Sequence, residues 1–197
     1  MTNQVRILAT RHYPEAIEQR LAQDYNATLN PQDRYFNTKD LVRASSDMGG
    51  LLISARETFD AQCIIALPRS VGILGAYSAG TDHIDISAAL QRGLIVTSTH
   101  GDLKEKCADL AMLLLLNAAR RAFEGDQLIL FGKWIGWTPT QLLGMGFQAK
   151  RLGILEMEEI DRTSAHRATA FRLSIHYYNR KRLPPKIGSW RNMSCQP

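Results

Sequence analysis

Short apolar runs typical of β-strands alternate with helical patterns along most of this 197-residue chain. The strand-type runs lie at residues 5–9, 49–54, 71–77, 94–97, 151–155 and 173–178, and the helical patterns at 14–25, 41–44, 61–67, 83–92, 104–121 and 158–171. Strands that alternate with helices through short connections form parallel sheets with helices on both faces. The pattern therefore predicts an α/β fold, and the length suits one domain or two small ones.

The helical pattern at 104–121 is the most apolar part of the chain, with an unbroken apolar run at 110–116. A helix that is apolar nearly all round is usually buried, so we expect this one to lie in a core. The run is far shorter than the roughly 20 residues that a membrane span needs. No apolar segment marks a secretory leader near the N-terminus. A loop or arm with two large aromatic side chains, Trp134 and Trp137, follows the helix.

Basic residues are concentrated near one end of the chain. Residues 1–161 carry 16 basic and 19 acidic side chains, whereas residues 162–197 carry 8 basic ones and no acidic one. A basic end of this kind can bind nucleic acid. Here, however, the basic residues are interleaved with apolar ones instead of being grouped with aromatic stacking positions. We therefore expect neither a nucleic-acid partner nor a membrane partner.

The three cysteines, Cys63, Cys107 and Cys195, are widely spaced and odd in number. This usage favours a reducing compartment over a disulfide framework, so we expect a cytoplasmic protein. The five histidines show none of the spacings typical of metal ligands, and we expect no metal site.

Six stretches of the sequence match one known family and follow that family's order. They are residues 77–85 (YSAGTDHID), 93–99 (GLIVTST), 108–116 (ADLAMLLLL), 134–139 (WIGWTP), 150–155 (KRLGIL) and 175–180 (IHYYNR). On these residues the chain resembles the D-isomer-specific 2-hydroxyacid dehydrogenases, particularly the glyoxylate/hydroxypyruvate reductase branch. The resemblance covers residues 5 to about 185.

The resemblance implies two α/β domains. Residues 1–100 would form a flavodoxin-like substrate domain, incomplete because the family's last segment returns to it. Residues 101–197 would form a truncated, Rossmann-type, doubly wound domain for the nicotinamide cofactor, with the linking helix and the family's dimerisation arm. The resemblance also implies a homodimer, or a dimer with a full-length relative.

The resemblance places the substrate carboxylate at the loop that follows the strand at 71–77. Backbone N–H groups of Ala79 and Gly80 would hold it, and a glycine suits the close approach of a ligand to the backbone. The alternative is a plain strand-to-helix turn. A nucleophile elbow around Ser78 is a weaker interpretation, because the first glycine of that motif is missing.

The cofactor loop is where the sequence departs from the family. The resemblance places Leu155 at the cofactor. The glycines of the family's G-x-G-x-x-G motif, which would follow this residue, correspond to Glu156, Glu158 and Asp161. Glycines let the backbone approach the pyrophosphate at the helix N-terminus. Side chains at these positions take up that space, and like charges about 5 Å apart repel by roughly 3 kcal/mol at an effective dielectric near 20. Alternatively, the carboxylates serve simply to stabilise the helix N-terminus.

A basic turn follows the second strand of this unit, at Asn179, Arg180 and Lys181. A carboxylate there would hold a ribose hydroxyl, whereas Arg and Lys suit a 2′-phosphate. The resemblance therefore implies NADP in preference to NAD, with binding in doubt because of the acidic loop. The alternative is an ordinary solvated turn. Two further departures from the family are His100, in place of a proline, and Lys104, in place of a small hydroxyl residue.

The family acts on the CH–OH group of small 2-hydroxy acids, reducing 2-keto acids such as glyoxylate and hydroxypyruvate. It uses an Arg together with a His and its Glu partner, because reducing a carbonyl requires a proton donor. No position of this sequence matches them, so we assign no catalytic residue. We expect a member of an oxidoreductase family that is inactive as it stands. The alternative is a non-enzymatic remnant that binds a full-length relative through the dimerisation arm.

Overall fold

The computed structural model describes residues 5–101, 103–180 and the backbone of 191–192. The chain divides into two compact units, Met1–Asp102 and Leu103–Pro197. Each unit is built around its own parallel sheet.

The first unit contains a four-stranded parallel sheet. Its strands are β1 (Ile7–Ala9), β2 (Gly50–Ser54), β3 (Ile73–Tyr77) and β4 (Ile95–Ser98), in the order β1-β2-β3-β4. Thr28 forms a further parallel bridge to Leu8 on the free side of β1. With this bridge counted as a strand, the order is that of flavodoxin-like sheets, which confirms the predicted fold class.

Helices lie on both faces of the first sheet. They are α1 (Glu15–Tyr25), α2 (Thr38–Ala44), α3 (Ala61–Ala66) and α4 (Ile86–Arg92). Leu21 of α1 packs with Ala9, Tyr13 and Leu52 on one face. The other three helices share a larger core on the opposite face, built around Phe59 and Leu74. The predicted cover on both faces is confirmed for this sheet.

Side-chain caps determine where three of these helices begin. The carboxylate or amide oxygens of Asn37, Asp60 and Asp85 each accept a hydrogen bond from the backbone N–H three residues later. Such caps satisfy amides that the first helical turn leaves unpaired. The cap at Asp85 explains why α4 begins at Ile86, three residues later than the pattern at 83–92 indicates.

The second unit has a smaller sheet. Its elements are α5 (Lys104–Arg120), α6 (Ala122–Leu130), β5 (Arg151–Leu155), α7 (Glu159–Ala170), β6 (Ser174–Tyr178) and β7 (Arg191–Asn192). The strands are parallel in the order β5-β6-β7. Met112 of α5 and Ala165 of α7 pack with Ile175 and Tyr177 on one face of the sheet.

Within the part of the chain that the structure describes, the helices that pack on the second sheet lie on one face, and no helix covers the other face. Arg151, Gly153 and Leu155 point to this face and are exposed, with Leu155 at 78%. The physical reason is that α5 and α7 both pack on the face that carries Leu152 and Ile154. An apolar run in the sequence therefore predicts a strand, but it does not predict whether helices cover one or both faces of the sheet.

The apolar helix α5 is not buried in the single chain, which corrects the expectation drawn from its composition. Only Ala108 and Met112 are buried, whereas Leu110, Leu113 and Leu114 are each more than half exposed. Ala108 and Met112 lie one helical turn apart, on the stripe that faces the core. Helix α6, which the sequence analysis did not predict, follows after Arg121 adopts a left-handed conformation (φ 54°).

We expect backbone amides of β6 to exchange with solvent deuterium faster than those of β2 and β3. The reason is that β2 lies between two helical layers, whereas the described helices cover β6 on one face only. Hydrogen–deuterium exchange resolved by residue measures the difference. Equal protection of β6 and β2 would contradict the expectation that the second unit opens more easily than the first.

Candidate functional site

The loop after β3 presents two backbone donors. The Ser78 hydroxyl donates to the carbonyl of Gly80 at 2.8 Å and fixes the turn. Within residues 5–101 and 103–180, the N–H groups of Ala79 and Gly80 have no acceptor. Nδ1 of His100 lies 3.4 Å from the Ala79 carbonyl oxygen. The two N–H groups are thus available to an anion at the carboxyl end of the sheet, where α/β folds bind ligands.

A buried ion pair lies at the same edge of the sheet, after β1 and β2. Glu57 is 2% exposed, and its Oε2 accepts hydrogen bonds from the Ser54 backbone and hydroxyl, both at 2.8 Å. Nε of Arg11 lies 4.0 Å from Oε1 of Glu57. Oε1 of Glu57 and Nη1 of Arg11 have no hydrogen-bond partner among the described residues. Since uncompensated buried charges are costly, this pair constrains both loops.

Tyr13 connects this edge to β3. Its hydroxyl donates to the Leu52 carbonyl at 3.1 Å, and its ring meets Tyr77 edge to face at 5.3 Å. Burial raises the pKa of Tyr13 above its ordinary value, so the hydroxyl stays protonated and remains a donor. The sequence analysis missed Arg11, Tyr13 and Glu57. Their signal was the position of polar residues directly after strand ends, where parallel sheets gather functional side chains.

The turn between β5 and α7 has an unusual conformation at its first residue. Glu156 has φ of 71°, in the left-handed region that glycine occupies without strain. Its N–H donates to the Tyr178 carbonyl at 2.8 Å, which holds the turn against the end of β6. A residue with a side chain in such a conformation costs on the order of 1–3 kcal/mol. The backbone has thus kept the conformation that a glycine would favour, at the position where the family's first glycine aligns.

Two of the three other acidic residues at this turn, Glu158 and Asp161, cap helix α7. Glu158 is the N-cap, and its backbone N–H donates to Oδ2 of Asp161 at 3.1 Å. The Glu158 side chain in turn accepts from the backbone of Asp161, which completes a capping box. Met157, which lies between Glu156 and Glu158, is 2% exposed and belongs to the core of this unit. The carboxylates therefore use amides of the helix N-terminus that a phosphate group would need.

Helix α7 is attached to α5 by charge and by close packing. Arg167 donates to Oε2 of Glu105 at 2.8 Å and to Oδ1 of Asp109 at 2.6 Å. These hydrogen bonds raise the pKa of Arg167 above its ordinary value. Ala165 and Ala168 are fully buried, which lets the helix approach its neighbours closely. The strand–helix–strand geometry of this unit is therefore well supported even though its connecting turn is altered.

The basic turn after β6 is described only in part. Oδ1 of Asn179 accepts from the Arg180 backbone N–H at 3.0 Å, and Arg180 is exposed. Lys181, the other residue proposed for a 2′-phosphate, lies outside the described residues. Lys104 is the first residue of α5. Among the described residues there is no cluster of His, Cys, Asp and Glu able to hold a metal ion, and no helix long and apolar enough to cross a membrane.

Comparison with known proteins places the whole described fold in one family. Residues 7–183 match the family model of the D-isomer specific 2-hydroxyacid dehydrogenase catalytic domain. The chain therefore belongs to the D-isomer-specific 2-hydroxyacid dehydrogenase family, and the resemblance seen in the sequence is confirmed. The glycerate dehydrogenase of Hyphomicrobium methylovorum is 33% identical over 177 residues, which are 90% of this chain and 55% of that protein.

Solved structures agree with this assignment. A protein of Thermus thermophilus superposes with a TM-score of 0.84 at 33% identity, over 96% of this chain and 60% of that one. A glyoxylate reductase from Paecilomyes thermophila superposes with a TM-score of 0.79 at 29% identity, over 98% and 61% of the two chains. The chain spans about half the length of the curated relatives it matches.

Replacing Glu156 by glycine should stabilise the chain by about 1 kcal/mol. The reason is that glycine relieves the strain of the left-handed conformation, and this gain exceeds the conformational entropy that a glycine loses on folding. Urea unfolding followed by circular dichroism measures the gain. Glu156→Ala is the matched control, since it removes the charge but keeps a Cβ in the left-handed conformation. Equal gains from the two variants would show that charge, not backbone strain, is the main cost at this turn.

Proposed function

We propose that this chain is a 2-hydroxyacid dehydrogenase homologue that can hold a small 2-keto or 2-hydroxy acid but does not hold the nicotinamide dinucleotide in the family's way. The first unit would be the substrate part and the second unit part of the cofactor domain. Ala79 and Gly80 would grip the substrate carboxylate through their backbone N–H groups. The observation that carries the proposal is the acidic turn from Glu156 to Asp161.

The residues of this turn do not fit a pyrophosphate. A dinucleotide would need a bare backbone at Glu156 and free amides at the start of α7. Instead, Glu156 carries a side chain where a bare backbone is needed. The amides of Glu158 and Asp161 are already paired in the capping box. Their carboxylates also repel a dianionic group. We therefore derive no hydride-transfer step for this chain and propose that it is inactive as it stands.

The ribose end of the cofactor site supports a preference for NADP over NAD. Arg180 is exposed directly after β6, and Lys181 follows it in the sequence. Basic side chains at this place suit a 2′-phosphate, whereas a carboxylate would suit the free hydroxyl. A reducing, cytoplasmic location belongs to the same proposal, because Cys63 and Cys107 are free thiols.

Changing Glu156, Glu158 and Asp161 together to glycine should raise the affinity for NADPH by about tenfold or more, by removing repulsion and opening the turn. The matched control is the triple variant E156Q/E158Q/D161N, which removes the charges but keeps the side chains. It should gain less affinity than the glycine variant. Fluorescence titration with NADPH measures binding, and circular dichroism confirms that each variant is folded.

Two results would contradict this part of the proposal. One is an unchanged NADPH affinity in a folded glycine variant, which would show that the acidic turn is not the obstacle. The other is NADPH-dependent reduction of glyoxylate or hydroxypyruvate by the unmodified chain. In that case the dinucleotide would bind despite the capped helix, and the chain would be an active enzyme.

A second candidate function, a binding module for another chain, has its own supporting observation. Exposed apolar side chains run along α6 and the aromatic arm, which comprises residues 131–139. Ile129 and Leu130 are 66% and 68% exposed, and Ile135 and Trp137 of the arm are 90% and 77% exposed. The N–H groups of Lys133 and Trp134 both donate to the Leu128 carbonyl, which folds the arm back on α6. Monomers rarely expose an apolar patch this continuous. We propose that it pairs with a second copy of this chain or with a full-length relative.

The chain should therefore form dimers, measured by light scattering during size-exclusion chromatography. Ile135→Asp combined with Trp137→Asp should shift it towards a monomer, because a charge in an apolar interface is left without a partner. Tyr35→Asp is the control, since Tyr35 is 59% exposed but lies outside the arm. An unmodified chain that stays monomeric at high concentration would contradict the proposed interface.

A further inference from the structure

A groove lies between α3 and α4, at the amino ends of β3 and β4. Its volume is about 620 Å³, within the range of about 300–1,000 Å³ typical of small-molecule sites. Leu67, Val71 and Leu94 form its apolar floor, and Ile65, 75% exposed, stands at its rim. This groove is at the end of the strands opposite to the loop of Ala79 and Gly80, because all strands of the sheet are parallel.

Two arginines give the groove its charge. Both Arg69 and Arg92 line it, and no carboxylate is among its described lining residues. Arg92 is committed to the fold, because its guanidinium donates to the carbonyls of Ile64 and Pro68 at the end of α3. Arg69 is exposed and forms no hydrogen bond or ion pair within the described part of the chain. Burial, and then the charge of Arg69, lower the pKa of Arg92, as expected for neighbouring cations that no carboxylate offsets.

The two features together select a class of ligand. An apolar floor favours an alkyl or aryl body, while an uncommitted guanidinium favours a carboxylate, which it can bind through paired hydrogen bonds. A cationic ligand would be repelled by both arginines, and a neutral apolar one would leave Arg69 unpaired. We propose that this groove binds an amphiphilic monocarboxylate, with the carboxylate on Arg69 and the apolar body over Leu67, Val71 and Leu94.

Octanoate is the test ligand, added to the full chain labelled with ¹⁵N. We expect saturable shifts of the backbone amides of Gly72 and Gly93, which line the groove. Acetate, which lacks the apolar body, and octylamine, which reverses the charge, should shift these amides little. Arg69→Gln should weaken octanoate binding by about tenfold, the loss expected for one charge-assisted interaction. Arg20→Gln, an exposed arginine on α1, should leave the affinity unchanged.

Three outcomes would overturn the inference. The first is the absence of saturable shifts at Gly72 and Gly93 with octanoate. The second is equal binding of octylamine, which would mean that the groove binds any alkyl chain. The third is an unchanged octanoate affinity in Arg69→Gln while the variant keeps the spectrum of the folded protein. Arg92 is left unmodified in these tests because it supports the end of α3.

Discussion

The turn between β5 and α7 determines what the second unit can do. A strand-to-helix turn in a dinucleotide-binding fold must leave amides at the helix N-terminus free for phosphates. In this chain the amides of Glu158 and Asp161 are paired within the protein, by the capping box between these two residues. The carboxylates of Glu158 and Asp161 stabilise the start of α7. The same carboxylates oppose the binding of a phosphate group there.

The rest of the second unit is consistent with this view. Arg167 still holds α7 to α5, and Met157 still fills the core beneath the turn. Glu156 has a left-handed backbone, which a glycine adopts without strain. The strain at Glu156 is local, on the order of 1–3 kcal/mol, and the packing around it is sufficient to hold it. In the first unit, the N–H groups of Ala79 and Gly80 have no acceptor among the described residues at the end of β3.

The sequence predicted most of the fold because short apolar runs and capping residues carry local information. The strand-type runs at 151–155 and 49–54 predict β5 and β2, and both strands lie where the pattern indicates. Exposure could not be predicted in the same way. Leu110 and Leu155 lie in apolar stretches of the kind usually found in buried elements. Both are nevertheless exposed, because burial depends on which elements pack against them. The buried pair of Arg11 and Glu57 was missed for a related reason, since it joins residues far apart in the chain.

The proposed inactivity of the chain depends on the acidic turn, which we propose closes the dinucleotide site. Titrating the unmodified, ¹⁵N-labelled chain with NADPH tests it most directly, through the backbone amides of Met157, Glu158 and Asp161. We predict no saturable shift of these amides, because the capping box remains in place. Saturable shifts centred on them would contradict it, since they would show a phosphate group bound at the start of α7.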